Sequence, residues 1–146
     1  MKPLPLAILG IAAFFGLLAG CDSSAKPQEP GANPAAQLQA IPAPDSGKYA
    51  NLRDMRGWQN PYLIIRKDGI ALLDPADSLE IILKPDEVLA RLAQLPPSAW
   101  PYGRIVAVRE NSAQNADDGV AIRRNRGLLA GSLDEAHVSI RWVPSS

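Results

Sequence analysis

The sequence predicts a small α+β fold, a two-layer sandwich in which a mixed sheet carries helices on one face. Three observations predict it: two apolar runs around an Asp-Gly turn, two segments with helical spacing of apolar residues, and a β-branched run after each of those segments. Period-two and continuous apolar runs indicate strands, and a 3.6-residue period indicates a helix. The elements follow the order ββ(β)αβαβ, which is typical of helices packed against one sheet.

The first predicted strands form a hairpin. Apolar runs at 62–65 and 70–73 flank the turn Lys67–Gly69, and Asp-Gly tolerates the positive φ angles that tight hairpin turns need. In the following segment "SLEIIL", Leu79, Ile81 and Leu83 alternate with other residues. This pattern predicts a third strand or an extension of the sheet.

The second half of the chain alternates helix and strand. Residues 84–95 place apolar side chains on one helical face behind an early proline, and residues 104–110 form a short run typical of a strand covered on both faces. Residues 117–136 have helix-compatible spacing, interrupted by two glycines. Residues 137–143 alternate and predict a half-buried closing strand.

The amino terminus has the anatomy of an export signal. Lys2 precedes the apolar segment Leu4–Gly20, which ends in small residues before Cys21. The sequence Leu18-Ala19-Gly20-Cys21 resembles the lipobox of bacterial lipoproteins. The resemblance implies a diacylglyceryl group on the Cys21 thiol, cleavage before Cys21 by signal peptidase II, and commonly an acylated amino terminus. The alternative is an uncleaved helix in which Cys21 is only a small apolar residue.

Asp22 follows the cysteine and resembles the signal that keeps enterobacterial lipoproteins in the inner membrane. It is otherwise the first polar residue of a linker. Residues 22–47 are rich in proline, alanine and glutamine, so we expect a disordered tether. The predicted organisation is a signal peptide at 1–20, a lipidated amino terminus with its tether at 21–47, and a small domain at 48–146.

The strand–Asp-Gly–strand phrase "YLIIRKDGIALL", followed by a helix and then "RIVAVRE", resembles the periplasmic domain of the ExbD/TolR group. Those proteins are small subunits of ion-driven envelope motors. The resemblance implies a fold and a use as a binding domain. Members of the group carry a transmembrane helix with a functional aspartate. Here a lipobox takes its place and the apolar segment has no acidic residue, so proton coupling is not implied.

Composition excludes several function classes. The formal net charge is zero, so no global field favours nucleic acid. One cysteine and one histidine exclude most clustered metal and redox sites, and we expect no cofactor. Ser132, Asp134 and His137 lie too close in sequence to converge readily on one substrate. We therefore expect a protein that is not an enzyme.

We expect the domain to hold a partner with the edge of its sheet or with the loop of Trp100 and Tyr102, and two groups of residues are candidates for the contact. Trp100 and Tyr102 flank a proline in a predicted loop, and amphipathic aromatic side chains often anchor partners. Arg123, Arg124 and Arg126 form a basic patch that suits a phosphate, an anionic lipid or an acidic protein. The alternatives are that Trp100 covers the core and that the arginines are a solvated face.

The spacing of Asp74, Asp77 and Glu80 lacks the calcium-loop pattern. The sequence favours a lipoprotein that is anchored in the cell membrane, with the inner membrane favoured, and that presents a non-catalytic binding domain to the periplasm. Its expected partners are the bilayer, through acylated Cys21, and an envelope protein. Two alternatives stay open: a structural lipoprotein linking membrane and cell wall, and an envelope enzyme with an unrecognised site.

Overall fold

The structure, a computed structural model, describes residues 33–73 and 79–145. These residues form four α-helices, five strands and three short 3₁₀ turns. The helices are α1 (Pro34–Gln39), α2 (Ser46–Tyr49), α3 (Val88–Ala93) and α4 (Ala116–Glu135). The strands are β1 (Tyr62–Arg66), β2 (Gly69–Leu73), β3 (Glu80–Leu83), β4 (Ile105–Glu110) and β5 (Ser139–Val143). The 3₁₀ turns are Met55–Gly57, Pro85–Glu87 and Pro97–Ala99.

The strands form one mixed sheet in the order β3-β2-β1-β4-β5. β1 pairs antiparallel with β2 and parallel with β4, β2 pairs antiparallel with β3, and β4 pairs parallel with β5. The predicted α+β class is confirmed. The predicted third strand exists and forms one edge of the sheet, while β5 forms the other.

The β1–β2 hairpin closes as the sequence predicts. Lys67 and Asp68 form the turn, and Arg66 lies opposite Gly69. Gly69 has a φ of 149°, and a Cβ there would lie 2.5 Å from the Leu83 carbonyl oxygen. A side chain at position 69 would therefore push β3 away from β2.

Three helices cover one face of the sheet. Leu38 of α1, Leu92 of α3 and Leu129 of α4 are fully buried against strand residues that include Leu63 and Val106. α4 begins at the Asn115 cap, whose side chain accepts a hydrogen bond from the Asp118 amide. α3, with the 3₁₀ turn that precedes it, and α4 agree with the predicted helical segments to within a few residues.

The opposite face has a smaller aromatic cluster. Trp58 and Tyr102 pack against Ile105 and Ala107 of β4, with Tyr49 among the surrounding residues. β4 is thus covered on both faces, as its apolar run predicts. Trp58 packs back onto the domain.

The prediction of a disordered tether is wrong for residues 33–47. The Asn33 side chain caps α1 by accepting a hydrogen bond from the Ala35 amide, and Pro34 occupies the first helical turn. Leu38 is 0% exposed and belongs to the main core. The domain therefore begins at or before Asn33, because burial of Leu38 offsets the entropy of ordering this short segment.

Arg104 fixes the chain that follows α1. Its guanidinium donates to the carbonyls of Gln39 and Ile41 at 2.7 and 3.0 Å, and to that of His137 at 2.7 Å. A Cβ on Gly103, which has a φ of 82°, would collide with the Ala43 carbonyl. The segment after α1 is therefore held against the start of β4.

Candidate functional site

The lipobox residues lie outside the described part of the chain. Cys21, Asp22 and the apolar segment before them are therefore not described. Asp74 and Asp77, from the segment weighed for calcium binding, also lie outside the described residues. Among residues 33–73 and 79–145, no helix is long and apolar enough to cross a membrane. Lipidation at Cys21 stays a prediction.

The predicted aromatic anchor at Trp100 and Tyr102 is wrong, because both rings are buried at 5% and 7% exposure. Trp100 packs in the helix-side core. Tyr102 lies 5.1 Å from Trp58, centroid to centroid, and its hydroxyl donates to the Gly57 carbonyl at 2.8 Å. Neither ring is available to a partner, and Trp100 has the core-covering role that was its alternative.

The Trp100 indole nitrogen is itself covered, and it has no hydrogen-bond acceptor among the residues that the structure describes. The ring contributes apolar packing, and the unpaired donor reduces its net stabilising effect.

The three arginines of the predicted basic patch do not act together. The Arg126 guanidinium lies 2.7 Å from a Glu110 carboxylate oxygen and 4.6 Å from the centroid of the Trp142 ring. Arg123 and Arg124 are exposed, with no ion pair in the described part of α4 and its surroundings. Arg126 is thus occupied within the fold, which leaves two solvated cations.

Asp134 and His137 line one open pocket, but no hydrogen bond joins the side chains of Ser132, Asp134 and His137 in the described part of the chain. His137 is exposed with a φ of 54°, and its amide donates to the Asp134 carbonyl at the end of α4. The Ser132 hydroxyl donates to the Leu128 carbonyl at 3.0 Å, within the helix. No group of three His, Cys, Asp or Glu side chains suitable for a metal ion occurs within the described ranges.

Of the acidic residues Asp74, Asp77 and Glu80, the structure describes Glu80. Its side chain binds Arg66. The two charged groups are 2.8 Å apart, and Asp68 lies 3.1 Å from the same guanidinium. The hydrogen bond to Glu80, with the nearby charge of Asp68, raises the pKa of Arg66 above its ordinary value. This ion pair joins the start of β3 to the hairpin, so Glu80 has a structural partner.

A groove lies between the end of α3 and the outer strands, and its lining is mainly apolar. It has a volume of about 450 Å³, within the range of small-ligand sites. We call it the β3 groove. It is lined by Leu72 and Leu73 of β2, Ile81 of β3, Arg91 and Leu95 at the end of α3, and the loop 96–101.

The loop 96–101 is fixed by a buried asparagine. Asn60 is 0% exposed, and its Nδ2 donates to the carbonyls of Gly103 and Ile105, each at 2.7 Å. Its Oδ1 accepts from the Tyr102 amide at 2.9 Å. Asn60 therefore anchors the end of this loop to the start of β1, beside the groove wall formed by Pro61.

The strand next to the β3 groove is an open edge. β3 pairs with β2 on one side, and no described strand pairs with its other side. Ile81 is 37% exposed and lines the groove, while Ile82, on the opposite face, is 47% exposed. Unpaired strand edges can add a strand from another chain, so β3 and the groove together form a candidate docking site.

The sequence analysis expected partner binding at a sheet edge or at the Trp100 loop, and it named neither the β3 residues nor the groove. The signal of the β3 edge was present in the run Leu79, Ile81, Ile82 and Leu83, which is apolar on both faces of one short strand. A strand that buries only one face needs apolar side chains on that face alone. The apolar side chains on both faces of this edge strand are therefore more than the core requires. The groove itself has no sequence signal, because four separate segments form it, including Gln59 and Pro61 before β1.

No protein-family model, curated protein or solved structure matches this chain.

Proposed function

We propose that this chain is a lipid-anchored, non-catalytic binding module that faces the periplasm and holds an envelope protein. The observation that carries the proposal is the combination of an open apolar edge strand with an apolar groove beside it. Soluble domains usually protect such edges, because an exposed edge promotes unwanted association. An unprotected edge strand with an apolar groove beside it is therefore a suitable binding site for an extended segment of a partner protein.

The anchor is supported by the lipobox at Leu18–Cys21. Two or more acyl chains give stable membrane attachment, whereas one gives only marginal binding. Residues 22–32 separate Cys21 from Asn33, and a chain of that length reaches at most about 40 Å. A domain attached in this way stays close to the bilayer, within reach of membrane proteins. Asp22 favours the inner membrane.

The non-catalytic part of the proposal rests on how the titratable side chains are used. The Ser132 hydroxyl is bonded to its own helix, and Glu80 is paired with Arg66. His137 occupies a helix end with no described nucleophile bonded to its ring. These contacts hold local structure, and they leave the β3 groove as the better candidate for function.

The anchor is tested by fractionation and intact-mass analysis of wild type and the Cys21→Ser variant. We expect wild type in the membrane fraction, cleaved before Cys21 and carrying the mass of acyl groups, and the variant released or unprocessed. A mature chain that retains residues 1–20 and a free thiol would contradict the anchor. Replacing Asp22 with serine tests sorting, with a shift towards the outer membrane expected in an enterobacterial host.

Partner binding is tested by capture from solubilised membranes with the full chain. Ile81→Lys places a charge in the groove lining, and Val120→Lys is the matched control, because Val120 is an exposed β-branched residue of α4. We expect one stoichiometric protein with wild type and the control, and its loss with Ile81→Lys. Binding to purified peptidoglycan alone would replace the proposal with a cell-wall linker. Turnover that disappears in His137→Ala would replace it with an enzyme.

A further inference from the structure

The β3 groove contains a positive charge that no described residue neutralises. Arg91 lines the groove, and within residues 33–73 and 79–145 its guanidinium has a single short-range polar contact, to the neutral Gln94 Oε1 at 3.4 Å. No carboxylate lies within ion-pair distance of it among the described residues. Arg66 and Arg126 differ, since each has a carboxylate oxygen within 2.8 Å. The planar guanidinium offers five donors, in a geometry that matches a carboxylate.

The surroundings of Arg91 are apolar. Leu72, Ile81 and Leu95 line the same groove, and they supply contact area for an aliphatic side chain. A carboxylate that reaches Arg91 here is partly removed from water, so its pairing is stronger than at an exposed site. The groove thus accommodates an apolar group and an anion side by side.

The neighbouring strand edge adds backbone groups. Alternate residues of a strand direct their N–H and C=O groups to opposite edges, so half of those of β3 lie on its open side. An extended segment bound there places every second side chain on the groove face, next to Ile81. Main-chain pairing supplies affinity in this mode of recognition, and the pocket for a side chain supplies specificity.

Three residues of the groove wall have no backbone N–H to offer a bound anion. These are Pro61, Pro96 and Pro101. Among the described residues that line the groove, Arg91 alone carries a charge. A free carboxyl end on an extended segment supplies the negative charge that matches it.

Building on the proposed function, we propose that the β3 groove binds the carboxyl-terminal residues of its partner in an extended conformation. The partner's last residues pair with the open edge of β3, and an aliphatic side chain enters the groove. The terminal carboxylate accepts hydrogen bonds from the Arg91 guanidinium. The ligand is therefore a peptide with an aliphatic last residue and a free carboxyl end.

The test uses the full chain in detergent and a library of fluorescent hexapeptides. All peptides end in leucine and have mixed Val, Thr and Ser residues before it. Each peptide is made with a free carboxylate and with a terminal amide. We expect wild type to bind members of the free-acid set, and to bind their amides about tenfold more weakly, as the loss of one charge-assisted hydrogen-bonded pair predicts.

Variants assign the effect to Arg91. In Arg91→Gln the acid and amide forms should bind equally, and Arg91→Lys should restore part of the preference. Arg124→Gln, which removes an exposed arginine of α4, should behave as wild type. Thermal melts of all three variants check that the fold is intact.

The outcomes separate this inference from the proposed function. Equal binding of acid and amide forms by wild type overturns the carboxylate inference and leaves partner binding at β3 intact. Preference for the acid that persists in Arg91→Gln also overturns it. If no peptide binds and the membrane capture also yields no Ile81-dependent partner, both proposals fail. Self-association that Ile81→Lys abolishes would show that a second copy occupies the edge, and would overturn the inference.

Discussion

The two edges of the sheet differ in how their exposed apolar side chains are covered. At the β5 edge, Trp142 is 43% exposed, and the Arg126 guanidinium lies over its ring while also contacting Glu110. Next to it, Arg141 donates to the carbonyls of Tyr49 and Leu52. Charged side chains therefore cover the exposed ring and brace the strand at this edge, and charges on an edge strand are one way in which natural sheets protect their edges.

The β3 edge has no comparable cover among the described residues. Its charges, Glu80 and Lys84, stand at the two ends of the strand, and Ile81 and Ile82 lie between them. Glu80 is turned to Arg66 within the sheet. This difference is the reason why we propose partner binding at the β3 edge. Each of the following substitutions alters the groove side or the β5 side of the domain and leaves the other side unchanged.

The largest expected effect is a loss of stability on substitution of Leu38. This residue belongs to α1, which packs against α3, and α3 carries the groove residue Arg91. Leu38→Ala should lower the free energy of unfolding by about 3–4 kcal/mol, because it leaves a cavity in the core. Urea denaturation measures the change. Leu128→Ala, at an exposed position of α4, should cost less than about 0.5 kcal/mol. An equally small cost at Leu38 would mean that residues 33–47 are a tether after all.

The second effect is at Asn60, which fixes the end of the groove loop. Asn60→Ala removes three hydrogen bonds and leaves buried backbone groups unpaired, at a cost of about 2–3 kcal/mol. Hydrogen exchange should show loss of amide protection at 96–103, with β5 unaffected. The control is Asn125→Ala, which removes one short hydrogen bond to the Arg66 carbonyl. Uniform loss of protection across the sheet would contradict a local role.

The third effect concerns the shielded edge. Arg126→Ala removes the contacts to Glu110 and Trp142, and should lower stability by about 0.5–1 kcal/mol. The loss should shrink in 1 M salt, since the ion pair is partly exposed. Arg124→Ala provides the control, with no measurable change. If both variants behaved alike, Arg126 would not shield the β5 edge.

The last effect, similar in size to the third and opposite in sign, lies at the entrance to β5. His137 has a left-handed backbone where glycine carries no penalty, so His137→Gly should stabilise the protein by about 0.5–1 kcal/mol. His137→Ala keeps the unfavourable conformation and should not stabilise it. A gain in the alanine variant, measured by thermal unfolding, would show that the side chain rather than the backbone causes the strain.

The sequence predicted most of the sheet because its signals are local. The Asp-Gly turn specifies the β1–β2 hairpin, and apolar spacing specifies α3 and α4. α1 was missed because its formation depends on one buried residue, Leu38, whose partners lie far along the chain. The closing strand begins later than predicted, since left-handed His137 ends α4 first.

The candidate site was predicted poorly for a related reason. Aromatic side chains in a loop, such as those of Trp100 and Tyr102, are compatible with either burial or exposure. The backbone next to these rings is held by Asn60, which is distant in sequence and bonds the Tyr102 amide and the Gly103 carbonyl. Such long-range bonds leave no local pattern in the sequence. The exposed pair Ile81 and Ile82 was visible in the sequence, but its significance depends on β3 being an edge strand.

The most direct test of the central claim is photo-crosslinking in native membranes. The full lipid-anchored chain would carry a benzoylphenylalanine in place of Ile81 in one sample and in place of Trp142 in another. We predict one discrete adduct with a second protein from position 81 and none from position 142. An adduct from position 142 alone, or none from either, would contradict the assignment of the β3 edge as the binding site.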